Sequence, residues 1–156
     1  MSRISSFAAF WPYYISQHRD VRCRIVHFIG TNGFVALALA CIWARPTWMV
    51  PAVFADALIF TAAFRLEAHR NTAPILLFGI VLAAVANPAV LGAVVFAYAW
   101  AWVGHFLIEG NRPATFTYPL WSLAGDFRMC GVMWTGRLWS GRGETIAPLD
   151  AASITP

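Results

Sequence analysis

Four histidines, His18, His27, His69 and His105, are the residues of this chain best suited to chemistry, because a neutral imidazole holds transition metals and carries protons near neutral pH. His105 and Glu109 are spaced i,i+4, which sets them on one face of an α-helix and suits metal chelation. His18 and His27 are nine residues apart, and at about 100° per residue they fall on opposite faces of a straight helix. They share an ion only where the chain bends between them, and Arg19-Asp20-Val21-Arg22, directly before an apolar run, is the place for that bend. Neutral imidazoles plus a carboxylate, with open coordination positions, are the arrangement with which non-haem Fe(II) oxygenases bind O₂ and substrate together. The plain alternative for each histidine is an interfacial anchor or a hydrogen-bonded helix end.

The elements that must position these groups are membrane elements. Residues are 60% hydrophobic and only 12% charged, against about 25% charged in soluble domains. About 20 apolar residues cross a hydrocarbon core of ~30 Å, and 25–43 and 46–64 qualify, the latter with Asp56 inside it. The apolar stretch 74–108 would reach roughly 52 Å as one helix, too long for one crossing, and Asn87-Pro88 divides it because proline removes a helical hydrogen bond. Four spans follow, 25–43, 46–64, 74–87 and 89–108. The expected fold is all-α: a four-helix integral membrane bundle with interfacial segments at both ends, making one domain over 1–139 and a flexible tail over 140–156.

Ten of the eleven arginines lie in the N-terminal segment, the 65–73 loop and the C-terminal tail, with Arg45 alone on the opposite side. The positive-inside rule then makes both termini cytoplasmic, and all four histidines fall in the cytoplasmic leaflet. The basic residues lie in short segments between apolar runs, so anionic lipid is their partner and nucleic acid is not. The first 24 residues have no long apolar run of the kind a cleaved signal carries. Cys23, Cys41 and Cys130 are too scattered for a disulfide framework or a structural zinc knot. Asp56 needs a partner in the bundle or a watery cavity.

Two segments, FWPYYISQHRDVRCRIVHFIGT and GHFLIEGNRPATFTYPLWSLAGDFRM, carry a family likeness. They resemble the small membrane 2-hydroxy fatty acid dioxygenases of fatty-acid α-oxidation, in their shorter bacterial branch. The shared pattern is His18, His27 and Gly30 near the start, then Gly104, His105, Glu109, Pro113 and Ala114 after the last span. The likeness covers about 7–129. Arg19 and Cys23 stand where the enzyme's motif has a second histidine and an asparagine, and Thr31 where it has valine-proline; His69 matches no family position.

The resemblance implies an enzyme of the bacterial inner membrane that uses Fe(II) and O₂ to shorten a 2-hydroxy fatty acid by one carbon. His18, His27 and His105 are then metal ligands, with Glu109 a further ligand or the group that orients His105. Arg22, Arg24 or Arg112 would hold the substrate carboxylate by a bidentate pair, with the tail among the spans. Two other functions use the same residues: a non-catalytic lipid-binding or scaffold protein with a structural histidine cluster, and a metal-dependent lipid hydrolase or isomerase. The topology has its own test. Reporter fusions after Arg70 and after Pro156 are both expected to report the cytoplasm, and a periplasmic signal from either would separate the histidines between leaflets.

Overall fold

A computed structural model describes residues 3–141. All of its regular structure is helical: α1 (Phe7–Ser16), α2 (Val21–Ala44), α3 (Pro46–Phe64) with a 3₁₀ turn at Arg65–Ala68, α4 (Ala73–Ala86), and α5 (Val90–Trp102), which runs on as a π-helix at Val103–Glu109. A 3₁₀ turn at Ala114–Phe116 then leads to α6 (Pro119–Trp134). Local chemistry accounts for the boundaries. Ser6 caps α1 by accepting from Ala9 N–H, and Asp20 caps α2 by accepting from Arg22 N–H. Pro46 starts α3 at the first helical turn, where its missing N–H costs nothing. The expected break at Asn87-Pro88 is present, and Asn87 fastens it by donating to Cys41 O and accepting from Ala89 N–H.

Three helical stretches, Val21–Ala44, Pro46–Ala68 and Val90–Glu109, are long and apolar enough to cross a membrane. The fourth expected span, α4, has 14 residues, about 21 Å of rise. Large side chains on these helices point outward, among them Trp43, Phe54, Leu77, Val85 and Val95.

The interior core sits elsewhere. Helices α1 and α6, expected to lie on the interface, pack on each other and on the end of α3 as a cap over the end of the bundle where α2 begins and α5 finishes. Phe10, fully buried, lies at the centre of its aromatic packing, with Tyr14, Tyr118 and Trp121 around it at ring separations of 5.2–5.9 Å. Glu67, also fully buried, accepts hydrogen bonds from Thr72 Oγ1 and from Leu120 N–H in the first turn of α6. A carboxylate at that position completes a helix N-terminus that lacks a side-chain cap of its own.

Arg24 closes the cap. Its guanidinium is buried and donates to five carbonyls, those of His18, Arg19, Leu138, Ser140 and Gly141, at 2.7–3.2 Å. That uses the whole donor set of an arginine, so Arg24 has no N–H left for a substrate carboxylate. Leu138 is held with φ 66, in the left-handed region where leucine is strained. Ser140 and Gly141, expected to belong to a flexible tail, are both tied to Arg24; the rest of that expected tail, 142–156, lies outside the described residues. Lysine at position 24 supplies three donors for five buried acceptors. Arg24→Lys is therefore expected to destabilise the protein by about 2–4 kcal/mol, read as a lowered thermal midpoint in detergent, and an unchanged midpoint would remove Arg24 as the fastener.

Candidate metal centre

Three histidines meet where the cap joins the bundle. His18 comes from the bend between α1 and α2, His27 from the second turn of α2, and His105 from the π-helix; their ring centroids are 4.5, 4.8 and 5.0 Å apart. All three are buried, and each offers one ring nitrogen within 4.8 Å of the others.

What orients them is the other nitrogen. His18 Nδ1 lies 2.7 Å from Tyr14 O, His27 Nδ1 2.8 Å from Asp126 Oδ1, and His105 Nδ1 2.7 Å from Asn111 Oδ1. The Asn111 amide is oriented by its own donation to Gln17 O, so its oxygen faces the imidazole. A carbonyl, a carboxylate and an amide oxygen all accept, so each Nδ1 carries the hydrogen and each Nε2 keeps its lone pair. His18 Nε2 and His27 Nε2 are buried with no hydrogen-bond partner. Unpartnered buried acceptors aimed at a common point, each ring steadied from behind, are what a metal ion requires of its ligands. The residues fit a metal.

The electrostatics agree. Burial, and after it the neighbouring imidazoles, push His18 well below the usual histidine range, which keeps it in the neutral, ligating form. Burial and then Asp126 push the Tyr14 phenol well above its ordinary value, so it remains a donor to the Asp126 oxygen that also takes His27 Nδ1.

The chain builds this arrangement locally. The α1–α2 bend is held by Arg24 on the carbonyls of His18 and Arg19, by Asn111 on Gln17 O, and by Glu109 Oε1 on Asp20 N–H at 2.7 Å. Gly104 lets α2 come close beside the site, since a Cβ there would stand 3.0 Å from Cys23 Sγ and 3.1 Å from His27 Cδ2. Gly110, with φ 65, reverses the chain after the π-helix so that Asn111 returns onto His105.

Of the residues singled out in the sequence, His18, His27 and His105 come together. Glu109 is bonded to Asp20 N–H, and the partner of His105 Nδ1 is Asn111; the π-helix alters the register on which the i,i+4 pairing relied. Arg22 is exposed and pairs with Asp20 at 2.8 Å. Arg112 lies over the Phe116 ring at 4.9 Å. His69 is exposed in the loop after α3. Asp126, Asn111 and Tyr14, which position the rings, carry no assigned role in the reading of the sequence. Asp126 had one visible signal, being the only acid of the otherwise largely apolar α6.

A cavity of about 170 Å³ opens from the histidines into the bundle. One stripe of α5 lines it, from Val90 through Val94, Ala97 and Ala101 to His105, about 22 Å along the helix. Thr31, Asp56 and Ser122 add polar atoms to a mostly apolar wall, and no arginine contributes to it.

Fold and site together define an all-α protein with membrane-length helices and a buried three-histidine centre suited to a metal ion. Its residues 4–138 match the family described as 2-hydroxy-palmitic acid dioxygenase Mpo1-like, and the chain belongs to that family. Comparison with curated proteins and with solved structures gives no match. The geometry separates ligands from supports. His18→Ala, His27→Ala and His105→Ala are each expected to lose most of the bound metal, while Asp126→Asn and Asn111→Ala weaken affinity by ~10–100-fold. Metal titration of the purified variants checks this, and full metal content in a folded His105→Ala would misassign the site.

Proposed function

We propose that this protein is an Fe(II)-dependent membrane dioxygenase that shortens 2-hydroxy fatty acids by one carbon. The observation that carries the proposal is the set of three imidazoles, each anchored through Nδ1 and each presenting Nε2, at the head of a long apolar cavity. Membership of a family described by 2-hydroxy-palmitic acid dioxygenase activity supports the same substrate class. Bound Fe(II) would supply the redox chemistry toward O₂ and a Lewis acid for the 2-hydroxy carboxylate.

The chain's own residues do the rest. His18, His27 and His105 would hold the metal through their Nε2 atoms at the head of the cavity. Asp126 and Asn111 fix the ring orientations, and Glu109 acts through the bend that carries His18. Ser122, buried, with an Oγ that has no partner, lies one helical turn before Asp126 and lines the cavity. It hydrogen-bonds the substrate head. Arg22 and Arg112, outside the cavity wall, attract the anionic head at the membrane surface without holding it during reaction. The tail enters between the helices, where a groove of about 22 Å exceeds one leaflet's half of a ~30 Å core. Closing this site from water favours chemistry on an amphiphile whose tail never leaves lipid.

The topology belongs to the same proposal: α4, packed mainly on α3, makes the fourth crossing, the termini are cytoplasmic, and the protein resides in the bacterial inner membrane. The reaction balances without an external reductant: the 2-hydroxy acid and O₂ give the shorter acid, carbon dioxide and water.

Three histidines are also a ligand set of catalytic zinc, so metal identity decides between oxidation and hydrolysis. Protein purified anaerobically is expected to contain iron. In lipid nanodiscs with 2-hydroxy-palmitic acid it is expected to consume one O₂ per acid and release the acid one carbon shorter, read by oxygen electrode and mass spectrometry. Stoichiometric zinc, or no shortened product from a folded, iron-replete sample, would overturn the dioxygenase.

A further inference from the structure

Among the described residues, four buried side-chain polar atoms have no hydrogen-bond partner: His18 Nε2, His27 Nε2, Asp56 Oδ1 and Ser122 Oγ. All four residues line the one cavity. Each such atom costs on the order of 1–3 kcal/mol if left bare, so their gathering in a single cavity outlines the polar groups of what fills it. The imidazole nitrogens face the metal, and Ser122 faces the head of the substrate. Asp56 is left over.

Asp56 lies mid-way along α3, far from the cap. Measured by helical rise from the shared α2–α3 turn, it stands about 10 Å deeper in the bundle than His27. The neighbouring helix makes room for it. A Cβ on Gly79 of α4 would meet the Phe60 ring at 2.5 Å and Asp56 Oδ1 at 3.0 Å, so the missing side chain leaves space for this carboxyl beside the cavity. Along α3 and across on α4 the lining residues beside Asp56 are the apolar Phe60, Leu76, Gly79 and Ile80, and the other polar lining groups of this part of the cavity, Thr31 and Tyr98, stand on α2 and α5, so a trapped water, which needs two to four polar partners, fits less well than a group carried on an apolar chain. An ammonium group would bring a charge into hydrocarbon. A hydroxyl both donates to and accepts from a carboxyl and carries no charge.

Building on the dioxygenase reading above, we propose that Asp56 is a specificity-determining residue, and that the fitting substrate is a long-chain 2-hydroxy acid bearing a second hydroxyl part-way along its chain. The head meets the histidine end while the second hydroxyl meets Asp56, so the spacing between the two is measured by α3 against α2. A plain chain leaves the carboxyl without a partner and binds less tightly.

The test is a binding scan on the full chain in nanodiscs, loaded with zinc so that no oxidation intervenes. Its probes are 2-hydroxy-palmitic acid and isomers with a second hydroxyl at successive mid-chain carbons. One isomer is expected to bind about five- to tenfold more tightly than the plain acid, the value of one net hydrogen bond. Asp56→Leu is expected to erase that preference and Asp56→Asn to keep part of it, with metal stoichiometry confirming that the variants fold. Isomers that bind no better than the plain acid, or a preference that survives Asp56→Leu, would overturn the proposal, and the scan on the unaltered chain decides even where a variant does not fold. Turnover by iron-loaded protein separates the two claims: shortening of the plain acid without an isomer preference removes only the role of Asp56, whereas an isomer preference without any shortening removes only the dioxygenase.

Discussion

Three imidazoles from three helical segments can face one point only if each is held from behind, and the acceptors that hold them come from different parts of the chain. Tyr14 O belongs to α1, Asp126 to α6, and Asn111 to the turn after the π-helix. The centre therefore exists only when the cap is docked on the bundle. Asp126 concentrates this dependence, because one of its oxygens takes both the Tyr14 phenol and His27 and so ties α1, α2 and α6 together. Such polar networks are strong when complete and costly when broken, which makes the cap's packing a condition of the site's geometry.

Burial is divided to match. In water, apolar side chains are driven inward, and the cap obeys: Phe10, Trp11, Tyr14, Trp121, Met129 and Met133 are all buried. The membrane-length helices turn large apolar side chains outward instead, as helices surrounded by lipid do, and meet one another through small residues. A Cβ at Gly30 would press on Trp100 Cβ at 3.1 Å and on Ala97 O at 3.2 Å. This close approach of α2 and α5 brings His27 and His105 within reach of each other.

Much of this was legible in the residues. Apolar runs punctuated by Arg45-Pro46 and Asn87-Pro88 show where helices stop, because proline and hydrophobic length act locally. The gathering of His18, His27 and His105 was legible too, since the bend needed to unite His18 with His27 had to fall between them. Their supports were harder to see. Asn111 reaches His105 through a left-handed turn at Gly110 that follows a π-helix, and no α-helical spacing anticipates a π-helix. Asp126 reaches His27 across 99 positions, a distance that only the docking of α6 closes. Arg24 looked like a carboxylate binder by type, but the carbonyls that absorb it come from the far end of the chain.

Arg24 also sets an order of assembly. Its guanidinium joins the carbonyl of His18 to that of Leu138, 114 residues away along the chain. At ~5–20 residues per second of synthesis, the Arg24 side chain waits on the order of 10 s for the distant carbonyls that complete its hydrogen bonding. During that interval the bend bearing His18 has only part of its hydrogen bonding. Alignment of the three imidazoles is thus a late event in the life of the nascent chain, because the bend at His18 is fully tied only after the segment around Leu138 has folded back onto it.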